Sequence, residues 1–341
     1  MNEKNNEKTK KIFSKAIKHL LSMREGVLVL VIVALFITMS VVSEFFLTRQ
    51  SMLNLLMSLT VEGIIAIGMV VLLVSGGMDL SAGANMAFTG VLTGIIFQSG
   101  VPLVPAIILG LAASLLIGLI NGGLVAKLGL NPFITTLGMQ MTLQGLMMMI
   151  TRGRAVGVSA RFQVIGRGTL FDIQYPVYIL IALVIIFEIL MRKSRAFRNS
   201  YYVGSNEGAA KLNGINVTRV KIFNYALVGL LSGLTGIILA ARLTTASVTV
   251  GGDTALRAIT ACIIGGASLS GGEGSVLGAF FGVVFIQLVS SSLNIISVDV
   301  YVKIFATGLI LIAAIVLEAL NERRKAAKAV TEAQKSMEKY S

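Results

Sequence analysis

Tryptophan is absent from this 341-residue chain, and cysteine and histidine occur once each, as Cys262 and His19. A single cysteine excludes a disulfide framework within the chain, and one Cys with one His does not make a zinc site. Proline is scarce too, at four residues. Charge is the larger deficit. Asp, Glu, Lys and Arg make up 13% of the chain, about half the share of an ordinary soluble domain. With 55% hydrophobic residues and a mean hydropathy of +0.86, a soluble enzyme is excluded and an all-α polytopic membrane protein is expected. The Lys-rich N-terminus has no small-residue cleavage site before its first apolar run, so no cleaved signal peptide is expected.

A membrane-spanning helix needs about 20 apolar residues. Segments 27–46, 52–75, 84–97, 103–127, 132–150, 176–191, 220–241, 256–265, 276–291 and 302–320 give about ten spans, the third and eighth being short. Of the 29 Lys and Arg residues, 21 then fall on one side, in residues 1–25, Lys127, residues 192–221 and the tail after Leu320. The positive-inside rule makes that side the cytoplasm and puts both termini there, in a bacterial cytoplasmic membrane. The net charge of +13 is explained by this topology, and no nucleic-acid partner is needed. Arg152, Arg154, Arg161 and Arg167 fall on the other side, in a loop expected to fold against the bundle. The expected organisation is a basic segment 1–25, a permease domain 26–320 containing a cytoplasmic segment 192–219, and a charged tail 321–341. In residues 1–25, Ile12, Phe13, Ala16, Ile17, Leu20 and Leu21 make an apolar stripe suited to the inner leaflet.

Glycine is plentiful, at 36 residues, and two glycine clusters repeat. Gly76-Gly77-Met78-Asp79-Leu80-Ser81-Ala82-Gly83 matches Gly265-Gly266-Ala267-Ser268-Leu269-Ser270-Gly271-Gly272 as GG-x-x-LS-x-G, offset by 189 positions. Each copy ends one apolar segment and starts another. Glycines let the backbone break there. Asp79 or Ser81, and Ser268 or Ser270, are then expected to cap the next helix. Paired breaks of this kind mark a transporter's pathway.

The second copy contains Leu269-Ser270-Gly271-Gly272-Glu273, one residue from the LSGGQ signature of ABC-type ATPases. The chain has no Gly-Lys dipeptide for a phosphate loop and no Asp-Glu pair for magnesium. An apolar span follows Glu273 directly. The match is a coincidence in a glycine-rich turn.

The basic segment 192–219 offers a short helix, with Asn206 as N-cap and Asn213-Gly214 as stop. Too short to be stable alone, it reads either as an interfacial loop or as a plug for another subunit.

GGMDLSAG, VGSNEGAAKLNGINVTRVK and GGASLSGGEGSVLG together resemble the permease subunits of ribose-type, carbohydrate-class bacterial ABC importers. That family's patterns run roughly GGIDLSVG, GxNxxAAxxSGI and GGTSLxGGxGxxxG. Phe46-Leu47-Thr48 with Asn54, and Asn131-Pro132-Phe133-Ile134-Thr135-Thr136-Leu137-Gly138, fit as well, so the resemblance covers residues 45–318. It implies that residues 207–214 are the coupling helix that docks on a separate ATPase, with Asn206, Glu207, Ala209, Ala210 and Gly214 at the contact. Ala209, Ala210 and Gly214 match the family's loop. Gly208 stands where the general pattern has Glu, and Asn213 where the family has Ser. The implied partners are that ATPase, an extracytoplasmic solute-binding protein, a second permease copy (identical or not) and the lipid bilayer. The chain itself holds no cofactor or metal, ATP and magnesium belonging to the ATPase. The implied solute is a monosaccharide, with a furanose signalling molecule, a polyol or a nucleoside as alternatives.

Polar residues within spans complete the candidates. Glu62 lies near the middle of the second span, on the pathway or in a hydrogen-bonded structural role. Thr136, Gln140 and Gln144 share one helix face, as a sugar-facing stripe or as interhelical glue. Asn85 is a further pathway candidate. Glu188 and Glu318 are expected near water at span ends, and the methionines from Met139 to Met149 as packing. Ion-coupled secondary transport, with Glu62 or Asp79 carrying charge, and a channel are the rival readings.

Overall fold

The computed structural model describes residues 26–340. The apolar stripe expected before residue 26, with His19, lies outside the described residues. The chain divides into two units at Ile296/Ser297.

The first unit begins with α1 (Gly26–Val42), α2 (Arg49–Val74), α3 (Ala82–Gln98), α4 (Leu103–Leu128) and α5 (Pro132–Thr151). Thr48 caps α2, its side chain accepting from Ser51 N, and Asn131 caps α5 ahead of a proline in the first turn, where proline's fixed φ suits a helix start. The polar stretch that follows is folded. β1 (Val156–Gly157) precedes α6 (Ala160–Arg167), and β2 (Thr169–Leu170) pairs with β3 (Ile173–Gln174) as a hairpin. Next come α7 (Tyr175–Lys193), α8 (Arg195–Ser205), α9 (Glu207–Leu212) and α10 (Val217–Leu243). β4 (Thr245–Ala246) pairs antiparallel with β1, and α11 (Thr254–Ile264) and α12 (Val276–Ile295) close the unit. The second unit holds α13 (Val300–Tyr340), one continuous helix whose part up to Leu320 is apolar. These short ladders qualify the all-α expectation.

Among the described residues, seven helices are long and apolar enough to cross a membrane. Three further expected spans form as shorter helices: α1 and α3 of 17 residues each, and α11 of 11.

The burial pattern is that of a chain solvated by lipid. In α2, 89% of the most apolar window is buried, against 28% in α4 and 17% in α5. The outer helices turn Ile108, Leu116, Ile134, Met149 and Ile185 outward. Helices suit that position because each satisfies its backbone internally. α10 is the hub, packing on α4, α3 and α2. Phe162 of α6 is fully buried in a cluster with Val91, Met147 and Ile237, and Arg167 Nε donates to Arg242 O at 2.8 Å. Thus the arginine-rich loop does fold against the bundle. Packing claims only part of the methionine group: Met147 is buried, whereas Met141, Met148 and Met149 face outward.

Candidate functional site

α2 and α11 both stop at glycines. Gly76 has φ +76° and Gly266 φ +90°, a left-handed region that favours glycine. The turns are built alike. Gly76 N and Gly77 N donate to Leu73 O and Leu72 O, while Gly266 N and Ala267 N donate to Ile263 O and Cys262 O. The backbone equivalence is therefore Gly76 with Gly266, one position off the letter alignment of Gly76 with Gly265. The segments beyond the turns differ in length, so the likeness is local.

The capping expectations need correction. Ser81 does not cap α3; its hydroxyl donates to Asp79 Oδ1 at 2.6 Å, and its N–H donates to the same oxygen at 2.8 Å. Asn121 Nδ2 of α4 donates to Ser81 Oγ at 2.8 Å and to Asp79 Oδ2 at 3.3 Å. Tyr225 OH donates to Met78 O, and Leu80 N to Thr136 Oγ1 at 3.0 Å each. α4, α5 and α10 thus tie down the first break. At the second break, neither Ser268 nor Ser270 caps α12. Ser268 Oγ accepts from Ser270 N at 3.2 Å, and the cap is Ser275, whose Oγ accepts from Gly278 N at 2.9 Å. Glu188, one turn before the end of α7, is buried: its Oε2 accepts from Leu277 N at 3.0 Å while Oε1 pairs with the exposed Arg192 through Nε at 2.5 Å.

The two breaks meet each other at the end of α8. Gly272 N donates to Val74 O at 2.8 Å, and Tyr201 OH donates to Gly274 O at 2.7 Å. A Cβ on Gly204 would lie 1.9 Å from Val74 O and 2.6 Å from Gly272 N. Only hydrogen at that position lets α8 reach both breaks. α9 follows directly. Asn206 Oδ1 accepts from Ala209 N at 2.9 Å, and Glu207 pairs with Lys221 of α10. Ala210 turns inward against Val203 and Val217, so it anchors α9 instead of reaching outward. Gly208, Ala209 and Leu212 are exposed, Leu212 at 91%. Gly214 sits at φ +79°.

Mid-membrane polar groups fall into two kinds. Asn85 is engaged within the protein: Nδ2 donates to Ser114 O at 3.2 Å, and Oδ1 accepts from Ser114 Oγ at 3.1 Å. Thr136 is spent on Leu80. Gln140 and Gln144 are half-buried on α5. Glu62, with a side chain 5% exposed, pairs through Oε1 with Arg257 Nε at 3.1 Å. Arg257 Nη2 also reaches Asp253 Oδ1 at 3.0 Å. Gln287 of α12 faces the same Glu62 carboxylate, and Glu62 Oε2 has no hydrogen-bond partner among the described residues. Arg257 was missed as a site residue because it opens the apolar segment 256–265; a cation at the edge of a short span was the available signal. Cys262 is a buried free thiol, and no cluster of metal-ligating side chains occurs among the described residues.

Residues 51–314 match the family described as branched-chain amino acid transport system / permease component. The chain is 37% identical over 296 residues to the ribose import permease protein of Bacillus subtilis (strain 168), covering 86% of this chain and 90% of that one. It is 33% identical over 301 residues to the L-arabinose transport system permease protein of Escherichia coli (strain K12), covering 88% and 92%. With the ribose import permease protein of the same strain it shares 32% over 314 residues, covering 91% and 96%. No solved structure matches. Together with the helical, lipid-solvated fold, these findings show that the chain belongs to this family of ABC-importer permeases, as a multi-pass inner-membrane transport subunit and not an enzyme.

Proposed function

We propose that the permease imports a monosaccharide of the ribose or arabinose kind, driven by a separate ATPase and supplied by an extracytoplasmic binding protein. The observation that carries this reading is the identity to ribose and arabinose permeases over nearly the whole of both chains. Ten helices would cross or enter the membrane, with α11 as a half-helix, and both termini and the two glycine breaks would lie on the cytoplasmic side. A second copy would complete the pathway. Residues 1–25 and 321–341 would form basic cytoplasmic ends to the 26–320 permease domain.

Coupling is assigned to the segment containing Asn206, Glu207, Ala209 and Gly214, with Ala210 as its anchor. The exposure of Ala209 and Leu212 supports a docking face, since an apolar side chain 91% exposed beside a short capped helix suits a partner's groove. α8 then gives a mechanical route, because its last turn touches both breaks. When the ATPases close, α9 would move with them and carry the breaks along, an alternating-access change. Glu62, Gln140 and Gln144 are assigned to the pathway. Asn85, Thr136, Asp79 and Ser81 are assigned to holding the helices, because their hydrogen bonds are already made within the protein. Nothing favours ion coupling: Glu62 is paired with Arg257, and Asp79 is enclosed by donors.

The test is uptake of radiolabelled ribose into proteoliposomes containing the permease, with and without the ATPase and the binding protein. Uptake is expected only with both partners and ATP. Uptake by the permease alone would sink the reading. Ala209→Trp should cut uptake about ten-fold, the equivalent of 1.4 kcal/mol, without lowering the yield of folded permease. Gly214 is a poor probe, since its positive φ strains any replacement whatever docks there.

A further inference from the structure

At the end of the first unit opposite the breaks, α2 and α12 flank a cavity of about 330 Å³. That volume lies in the range of small-molecule sites, roughly 300–1,000 Å³. Two polar stripes face it. On α2, Thr48, Ser51, Asn54 and Ser58 recur at three- and four-residue steps, and on α12, Gln287, Ser291 and Asn294 do the same, so each set occupies one helix face. No charged residue lines the cavity; the apolar remainder is Phe45, Leu55 and Ile295.

Burial is graded along both stripes. On α2 the outer members are exposed or half-buried (Thr48 and Asn54 exposed, Ser51 and Ser58 half-buried), and one turn beyond Ser58 Glu62 is buried. Asn294 is exposed, Ser291 half-buried, and Gln287 only 8% exposed. Gln287 thus lines the cavity and also faces Glu62, whose Oε2 is unpartnered.

These stripes are not glue. On the α2 side the side chains bond locally, Thr48 Oγ1 to Phe45 O at 2.8 Å, Ser58 Oγ to Asn54 O at 3.0 Å and Gln50 Nε2 to Asn54 Oδ1 at 3.4 Å. Among the described residues, Ser51, Asn54, Ser58, Ser291 and Asn294 make no side-chain hydrogen bond to the opposite helix, and Gln287 approaches α2 only deeper, at the Glu62 carboxylate. Polar faces left unpaired toward lipid are costly, so two of them lining a cavity large enough for several waters imply a wet gap. Hydroxyls and amides both donate and accept, which suits a solute that is itself rich in hydroxyls and carries no charge.

We propose that this cavity is the chain's outer vestibule, binding an uncharged polyhydroxylated solute between α2 and α12, with Gln287 as its floor above the Glu62–Arg257 pair. The ring-sized volume and the apolar edge at Phe45 fit a molecule with one C–H face. The proposal rests on the transport reading for its direction, but the wet cavity itself does not.

The test uses Ser58→Cys and Ser291→Cys, one at a time, in a Cys262→Ala background, in the reconstituted complex of permease, ATPase and binding protein. A membrane-impermeant methanethiosulfonate reagent is added from outside, and radiolabelled ribose is the solute probe. Ser→Cys is nearly isosteric, so the unlabelled protein serves as its own folding control. The expected result is labelling at both positions, complete loss of ATP-driven ribose uptake on labelling, and recovery when a reductant removes the adduct. An Ile108→Cys control on the outward face of α4 should keep full uptake after treatment. Labelling reports the cavity even if ribose is the wrong sugar. Hence absent uptake in the Cys262→Ala complex before either cysteine is introduced counts against the transport reading, whereas no labelling, or labelling that leaves each variant's own uptake unchanged, overturns the vestibule.

Discussion

The two ends of the first unit solve opposite problems. At the break end, α2, α8 and α11 meet through backbone: Gly272 N on Val74 O, with Gly204 wedged between them. There is no room for even one added carbon. At the other end, α2 and α12 flank a cavity of about 330 Å³ lined by polar side chains, and on the α2 side these bond locally. A backbone joint transmits displacement, because a close-packed contact cannot be compressed. A loose polar gap admits water and solute. The same helix, α2, serves both ends, and Glu62, twelve residues from Val74 and thirteen from Arg49, is roughly 18–20 Å from either at 1.5 Å per residue.

The sharpest way to break this contrast is one methyl group. Gly204→Ala places a Cβ 1.9 Å from Val74 O, so it should abolish folded yield or uptake, read by size-exclusion of the detergent-solubilised protein and by vesicle transport. Gly123→Ala is the matched control, since nothing lies within 4 Å of a Cβ there. In mid-helix it should be neutral or stabilise by up to about 1 kcal/mol. Equal damage from both would dissolve the joint.

Between the two ends, the Glu62–Arg257 pair offers an intermediate effect. Arg257→Gln strands a buried carboxylate. Breaking a fully buried pair costs about 3–5 kcal/mol, and the loss here should be nearer 2 kcal/mol because the Arg257 side chain is 32% exposed. The Glu62→Gln/Arg257→Gln double variant should recover most of the thermal stability. If the double variant is no more stable than the single, the pair is not what holds α2 to α11.

The smallest expected effect separates the serines of the second break. Ser275→Ala removes a working cap and should cost about 1 kcal/mol. Ser270→Ala should change little, because only its backbone N–H bonds to Ser268 Oγ. The reverse order, in a thermal-shift comparison, would return the cap to the position the repeat suggests.

Much of this was legible in the sequence. Apolar segments located the helices, Asn206 and Gly214 bracketed α9, and missing phosphate-loop residues disposed of the ATPase signature. What the sequence left open shares a cause. Capping by Ser275 was hidden because the length of the second turn is set by its contacts with α2 and α8, and letter matching knows nothing of them. For Asn85 and Thr136 the sequence could not separate a pathway role from a structural one, because a polar side chain in an apolar span gives the same signal whether its bonds are made or free. Asn121 and Ser114, single polar residues within α4, carried that signal too and went unread.

By itself the sequence determined what periodicity, length and charge balance can determine: a lipid-solvated bundle of helices, broken at two glycine clusters, without the residues to hold ATP. These are local properties, fixed within a turn or a span. The tertiary structure decided which polar groups are spent and which are open. That choice depends on partners such as Arg257 for Glu62 or Ser114 for Asn85, brought together from distant helices, and no local pattern encodes the distance between them.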